Sequence, residues 1–302
     1  MNRRQPGAST QRELRRTLRG LAFCSPWIIG FLLFSVFPIL SSLYFSFHDY
    51  SVLQPPSWTG LSNYVNLLTD DSLFWKSLGN TLFYAIGATL IGGVLAISLA
   101  LLLNSNVRGL AVYRTIFYVP VIVPVVASTI IWLWLFNPQI GLLNYLFSFL
   151  GIPPIPWLTD PRWSKPALIL MSLWGVGNSV VIFLAGLQDI PRELYEAAEL
   201  DGASSWQKTR FVTLPMLSSV VFFNLIIGLI AGFQVFTQAY VMTSGGPADS
   251  TLFYALYLYN NAFQFFKMGY ASAQAWILFL LIVACTAFIF RTSSRWVYYA
   301  GR

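Results

Sequence analysis

The chain has 302 residues, 56% hydrophobic, 17% aromatic and only 10% charged, with a formal net charge of +7. A soluble domain carries roughly 25% charged residues, so this chain cannot cover a water-facing surface, and lipid must be the solvent for much of it. Disorder is excluded on the same ground. Nucleic acid is excluded as a partner because the basic residues lie between long apolar runs and form no single patch.

Six stretches without Asp, Glu, Lys or Arg follow in chain order, at residues 21–47, 80–103, 115–136, 166–187, 216–242 and 271–290. Each has about 20 residues or more, enough for a helix to cross a hydrocarbon core roughly 30 Å thick. Barrel strands would alternate apolar and polar over about 10 residues, whereas 91–103 is apolar nearly all round. The predicted fold is therefore all-α, a polytopic membrane protein with six transmembrane helices. Basic residues from Arg3 to Arg19 precede the first run, as in a secretory signal. Its apolar region is too long for a signal and no small-residue cleavage site follows, so it is expected to remain as the first helix.

Orientation follows from the basic residues. With the N-terminus in the cytoplasm, the cytoplasmic side holds Arg3, Arg4, Arg12, Arg15, Arg16, Arg19, Arg108, Arg114, Arg192, Lys208, Arg210, Arg291, Arg295 and Arg302. Only Lys76, Arg162, Lys165 and Lys267 fall outside. The positive-inside rule then predicts a multi-pass plasma-membrane protein with both termini cytoplasmic.

No run carries a fixed charge, although ion-coupled carriers usually need one within the membrane. His48 is the only histidine and lies at the outer end of the first run, without a partner carboxylate or metal-binding spacing, where it is read as an interface residue. Cys24 and Cys285 have neither disulfide nor metal spacing. A phosphate-binding loop would need Gly-Lys, which never occurs. Enzyme chemistry and metal binding have no candidate residues. Uphill movement of a solute would draw its energy from another chain.

The loop 191–215 is unlike the others. Pro191 suits a first helical turn, where its missing N–H is no loss, and Glu193 follows near the positive end of the helix dipole. Gly202 can take the left-handed conformation that ends a helix. Ser204 and Gln207 then fit a capping box, and Leu214-Pro215 opens the fifth run. Glu193, Glu196 and Glu199 form an acidic edge, beside the low profile of Leu194, Ala197 and Ala198. Helices that lie on lipid headgroups favour Lys and Arg, so an acidic helix here is read as a docking element for a protein. On the fifth run, Asn224, Gly228, Ala231, Gly232 and Val235 share one face at helical spacing. Such small residues also let helices pack closely.

Glu196-Ala197-Ala198, three residues, Gly202, nine residues, Val212, one residue and Leu214-Pro215 together resemble the EAA loop of binding-protein-dependent ABC importer permeases. Val212 stands where that family usually has Ile. Gly245-Gly246-Pro247 and the following Thr251-Leu252-Phe253-Tyr254 resemble its carbohydrate-uptake branch, as do Asn80-Thr81 and Phe136-Asn137-Pro138.

The resemblance implies a type I importer fold. It divides the chain into a basic cytoplasmic tail (1–20), a first transmembrane helix with its external loop (21–75), the transport domain (76–291) and a second cytoplasmic tail (292–302). It implies a non-enzymatic subunit forming half of a path for a sugar or oligosaccharide. The partners are a second permease, expected to be a different chain, an ATPase dimer and an external solute-binding protein. This chain would bind no cofactor, ATP and Mg²⁺ belonging to the ATPase. Glu196, Ala197, Ala198, Gly202, Leu214 and Pro215 would couple to the ATPase. Trp174, Gly175 and Asn178, with the fifth-run face, would line the sugar path, joined by Gln234, Thr237 and Gln238. Glycerol phosphate or another polyol derivative is the alternative cargo. A lone carrier or a membrane scaffold is the alternative class.

Overall fold

The computed structural model describes residues 6–105 and 109–298, so Arg3, Arg4, Arg108 and Arg302 lie outside the described residues. Helices dominate. Three are long and apolar enough to cross a membrane alone, and there are six such spans if each sharply bent helix pair counts as one.

Helices α1 (Pro6–Phe31) and α2 (Phe37–Ser46) are joined by a π turn at Leu32–Val36. Pro38 lies in the first turn of α2 and offers no N–H to the carbonyl four residues back, so the hydrogen-bond ladder slips there. Two strands, β1 (His48–Ser51) and β2 (Gln54–Trp58), then form an antiparallel hairpin that the sequence did not announce, with His48 opposite Trp58. The hairpin also encloses His48. The ring is buried at 4% exposure, its Nδ1 lies 2.7 Å from the Tyr44 carbonyl, and Tyr44 and Trp58 cover it.

After α3 (Ser62–Thr69), the 32-residue α4 (Ser72–Leu103) starts eight residues before its apolar run. Asp71 caps it, accepting from the Phe74 N–H at 2.9 Å. Helices α5 (Leu110–Ile122) and α6 (Val125–Leu135) meet at 103°, so the third run is not a straight span. Pro124 lacks the N–H needed to continue the helix and forces Val123 into an extended conformation (ψ 126°). The short α7 (Leu142–Ser148) follows. Asp160 caps α8 (Pro161–Leu173), and the Arg162 guanidinium, 2.8 Å away, holds the Asp160 carboxyl below the usual carboxylate range. A 49° bend at residues 174–176 leads into α9 (Gly177–Gln188).

The 191–215 segment contains α10 (Arg192–Leu200), α11 (Ser205–Lys208), a π turn at Thr209–Thr213 and α12 (Leu214–Met216). That π turn precedes Pro215, as the first precedes Pro38. The fifth run is two helices rather than one: α13 (Ser218–Phe233) stops at residues 234–236, and α14 (Thr237–Met242) resumes. Helix α15 (Tyr254–Tyr259), a π turn at Asn260–Gln264 and α16 (Met268–Ser293) complete the bundle.

Helix α4 is the organising element, packed against α8, α9 and α13. One apolar core gathers Phe74, Phe136, Trp157 and Tyr254, and a second, towards the 191–215 segment, gathers Ala100, Phe183 and Leu217. The crossing of α4 and α13 is tight. A Cβ on Gly232 would lie 2.7 Å from the Ala85 Cα, so only glycine admits this approach.

Candidate functional site

Two regions carry the residues singled out from the sequence. The first is the 191–215 segment. Pro191 is the N-cap of α10, one position before the predicted first turn, with Glu193 in that turn. Gly202 has φ +78°, the left-handed conformation expected of it. Its N–H donates to the Glu199 carbonyl at 3.0 Å and the Ala203 N–H to the Ala198 carbonyl at 2.9 Å, which closes the helix with a paired C-terminal motif. The capping box is present, with Ser204 Oγ and the Gln207 side chain each accepting from the other's backbone N–H. Two contacts hold the segment together: Tyr195 Oη lies 3.0 Å from Thr213 Oγ1, and Lys208 Nζ donates to Glu199 Oε1 at 2.6 Å.

No residue of α10 is buried. Glu196 and Ala197 are exposed and Ala198 is half-buried, while Leu214 and Pro215 are exposed at the far end. The predicted acidic edge loses one member, because Glu199 is paired to Lys208. Glu193 and Glu196 have no ion partner among the described residues. The structure adds an apolar element that charge counting missed: Leu200 is 91% exposed and Trp206 68%. Such side chains beside two free carboxylates make a surface suited to a protein partner.

The second region is a cavity of about 530 Å³ between α4, α9 and α13. Gly175, Asn224, Gly228, Ala231, Gly232 and Val235 line it, together with Gln234, Thr237 and Gln238 from the break in the fifth run. Trp174 and Asn178 are not in the lining. Trp174 turns to Trp132, edge to face at 6.3 Å, and Asn178 is exposed elsewhere on α9. Gly175 itself lies within the 49° bend between α8 and α9. Tyr84, Thr89, Ser172 and Ser179 also line the cavity and escaped the sequence reading. Their signal was present as hydroxyls inside apolar runs. Gly228 and Gly232 serve packing as well, facing Thr89 and Ala85 of α4. No charged side chain lines the cavity, so it offers a bound molecule amides, hydroxyls and apolar walls.

The other quoted motifs meet one another. Asn80 Nδ2 donates to the Asp249 and Leu252 carbonyls, and Thr81 Oγ1 accepts from the Tyr254 N–H at 2.8 Å. Both contacts clamp the loop that begins at Gly245-Gly246-Pro247. Phe136 is fully buried against Trp132 and Trp157, and Asn137 Oδ1 accepts from the Gln139 and Ile140 N–H groups. Asp71 ties three elements together, since it caps α4 and accepts from the Tyr257 and Tyr270 hydroxyls.

Comparison with known proteins decides the family. The profile described as "Binding-protein-dependent transport system inner membrane component" matches residues 88–298. The chain belongs to this family. It is 42% identical over 296 residues to the probable ABC transporter permease protein YesP of Bacillus subtilis (strain 168), covering 96% of each chain. It is 35% identical to the lactose transport system permease protein LacF of Rhizobium radiobacter, covering 90% of this chain and 92% of that one. Among solved structures, a chain of the bacterial ABC transporter that imports the acidic polysaccharide alginate superposes with a TM-score of 0.83 at 25% identity. That match covers 95% of this chain and 99% of the other. A bacterial alginate ABC transporter in complex with an alginate pentasaccharide-bound periplasmic protein gives 0.82, also at 25% identity. Family membership makes this chain a membrane-embedded permease component.

Proposed function

We propose that this chain forms half of the translocation path of an ATP-driven importer for a sugar or oligosaccharide delivered by an external solute-binding protein. The observation that carries the reading is the exposed α10, opened by Pro191 and closed at its C-terminus by Gly202, at the end of a bundle that holds an uncharged, amide- and hydroxyl-lined cavity. The lactose permease relative and the alginate importer support a carbohydrate cargo. The alginate complex with its loaded periplasmic protein supports delivery by a partner.

In this reading α10 seats in a cleft of a separate ATPase. Glu196 pairs with a basic group there, Ala197 and Ala198 permit close approach, and Gly202, Leu214 and Pro215 set the angle at which motion reaches α13. A charge-assisted bond in a water-excluding cleft is stronger than a surface ion pair. ATP and Mg²⁺ stay in the ATPase, and this chain catalyses nothing. Both termini face the cytoplasm with α10, a second permease completes the path, and Asn224, Gln234 and Gln238 meet sugar hydroxyls, an amide being both donor and acceptor.

The test is reconstitution. The chain alone in proteoliposomes should neither hydrolyse ATP nor accumulate sugar. Together with the second permease, the ATPase and a sugar-loaded binding protein, ATP turnover should rise. Sugar uptake by the chain alone would overturn the proposal.

A further inference from the structure

We propose that Lys165 and Phe83 form a cationic rim above the cavity that favours sugars carrying a carboxylate. The inference rests on the carbohydrate-importer reading and narrows its substrate class. Lys165 Nζ sits 5.2 Å from the centre of the Phe83 ring and donates to Asn80 Oδ1 at 3.0 Å. An ammonium has three N–H donors, and Asn80 occupies one. Lys165 has no carboxylate partner among the described residues. The nearby Lys76 is paired with Asp249 at 3.2 Å.

Two helices independently place this pair over the cavity. On α4, Phe83 precedes the cavity-lining Leu90 by seven residues. Seven residues make two turns, so the two share a face about 10 Å apart along the axis. Lys76 continues the same stripe seven residues earlier. On α8, Lys165 precedes the cavity-lining Ser172 by the same interval. Both helices run from this rim toward the 191–215 end, so the rim lies at the opposite end of the bundle from α10.

The chemistry divides between rim and cavity. The cavity lining contains no Asp or Glu to repel an anion and no cation to select one. Amides and hydroxyls there can hold a sugar of either charge type. Only the rim distinguishes them, because a half-buried ammonium with two free N–H groups attracts a carboxylate and gives a neutral sugar no comparable term.

The experiment uses the complete transporter, without its binding protein, in nanodiscs of neutral lipid. Binding of a digalacturonate is compared with that of the matching neutral galactose disaccharide. The expected result is a preference of about fivefold or more for the uronate, weakening as salt is raised. Lys165→Gln, which can still donate to Asn80, should bring the ratio near one, and Lys165→Arg should keep it. Equal binding of the two sugars, binding of neither, or an unchanged ratio in Lys165→Gln would overturn the proposal. A uronate preference seen only after anionic lipid is added to the nanodiscs would likewise overturn it and assign the lysine to a headgroup. Sugar-stimulated ATP turnover with the binding protein present tests the importer reading separately. If turnover is stimulated without a uronate preference, only the rim fails.

Discussion

Asn80 reaches across 169 residues of sequence to donate its Nδ2 to the main-chain carbonyl of Asp249 at 2.8 Å. The same side chain accepts from Lys165, so one buried amide joins α4, α8 and the loop after the fifth run. That loop needs the support. Ser244, Ala248 and Asp249 all have positive φ without being glycine, a conformation held only where the surroundings over-determine it.

Asn80→Ala should therefore destabilise the protein more than an ordinary surface change. It leaves the buried Leu252 carbonyl without its donor and the Asp249 carbonyl with the Leu252 N–H alone, and an unsatisfied buried group costs about 1–3 kcal/mol. Thermal denaturation in detergent should show a lowered midpoint. A midpoint equal to wild type would mean the amide does not hold the loop.

Glu196→Lys and Gly202→Val test the coupling role of α10. The first reverses a charge that has no intramolecular partner among the described residues. The second puts a β-branched side chain at φ +78°, a region such residues avoid. Truncating one member of a buried interfacial charge pair costs about 2–5 kcal/mol, and reversal at least as much. Both variants should insert normally yet lose ATPase co-purification or sugar-stimulated turnover. Wild-type behaviour in both assays would remove α10 from the coupling path.

Gly232→Ala and Gly228→Ala should rank in that order of severity. The new Cβ at 232 meets the Ala85 main chain at 2.7 Å, which cannot move aside alone. At 228 it meets the Thr89 side chain at 3.1 Å, a few tenths of an ångström too close. Overpacking costs about 1–3 kcal/mol, with 232 at the upper end. The relative melting temperatures of the two variants check the order.

Asn224→Ala should impair sugar uptake more than Asn178→Ala, because Asn224 lines the cavity and Asn178 does not. Initial uptake rates at saturating binding protein would decide it. Trp174→Ala is expected to act through stability, since its ring packs against Trp132. A lowered melting temperature with unchanged sugar affinity is the expected pattern.

Tyr257 supplies a pH-dependent prediction. Burial first, and then its hydrogen bond to the Asp71 carboxylate, push the phenol up from 10.0 to about 12. A raised folded pKa means that the associated stability is complete below about pH 10 and is lost as pH climbs toward 12. Tyr257→Phe should remove that portion of the alkaline loss. Superimposable alkaline melting curves for the two proteins would count against the Tyr257–Asp71 bond.

Much of this was legible in the residues themselves. The apolar runs gave the helical membrane fold, since bilayer thickness fixes their length. In the 191–215 segment, Gly202 and the Ser204–Gln207 capping box depend on contacts within a few residues, and both take the conformations their types favour. The burial of His48 was not legible, because its neighbour Trp58 arrives through a hairpin whose strands are too short and polar to register as a pattern.

By itself, then, the sequence determined what depends on short range or on solvent: helix type, caps, span length and the loop motif. Only the tertiary structure decided which residues share the cavity. The breaks at 123–124, 174–176 and 234–236 interrupt the helices within their runs, so the cavity takes Gly175, Gln234, Thr237 and Gln238 from the breaks or beside them, while Trp174 and Asn178 lie outside its lining. It alone brought Asn80 to Asp249 and Lys165 to Phe83, because contacts between residues more than 80 positions apart are set by how helices cross.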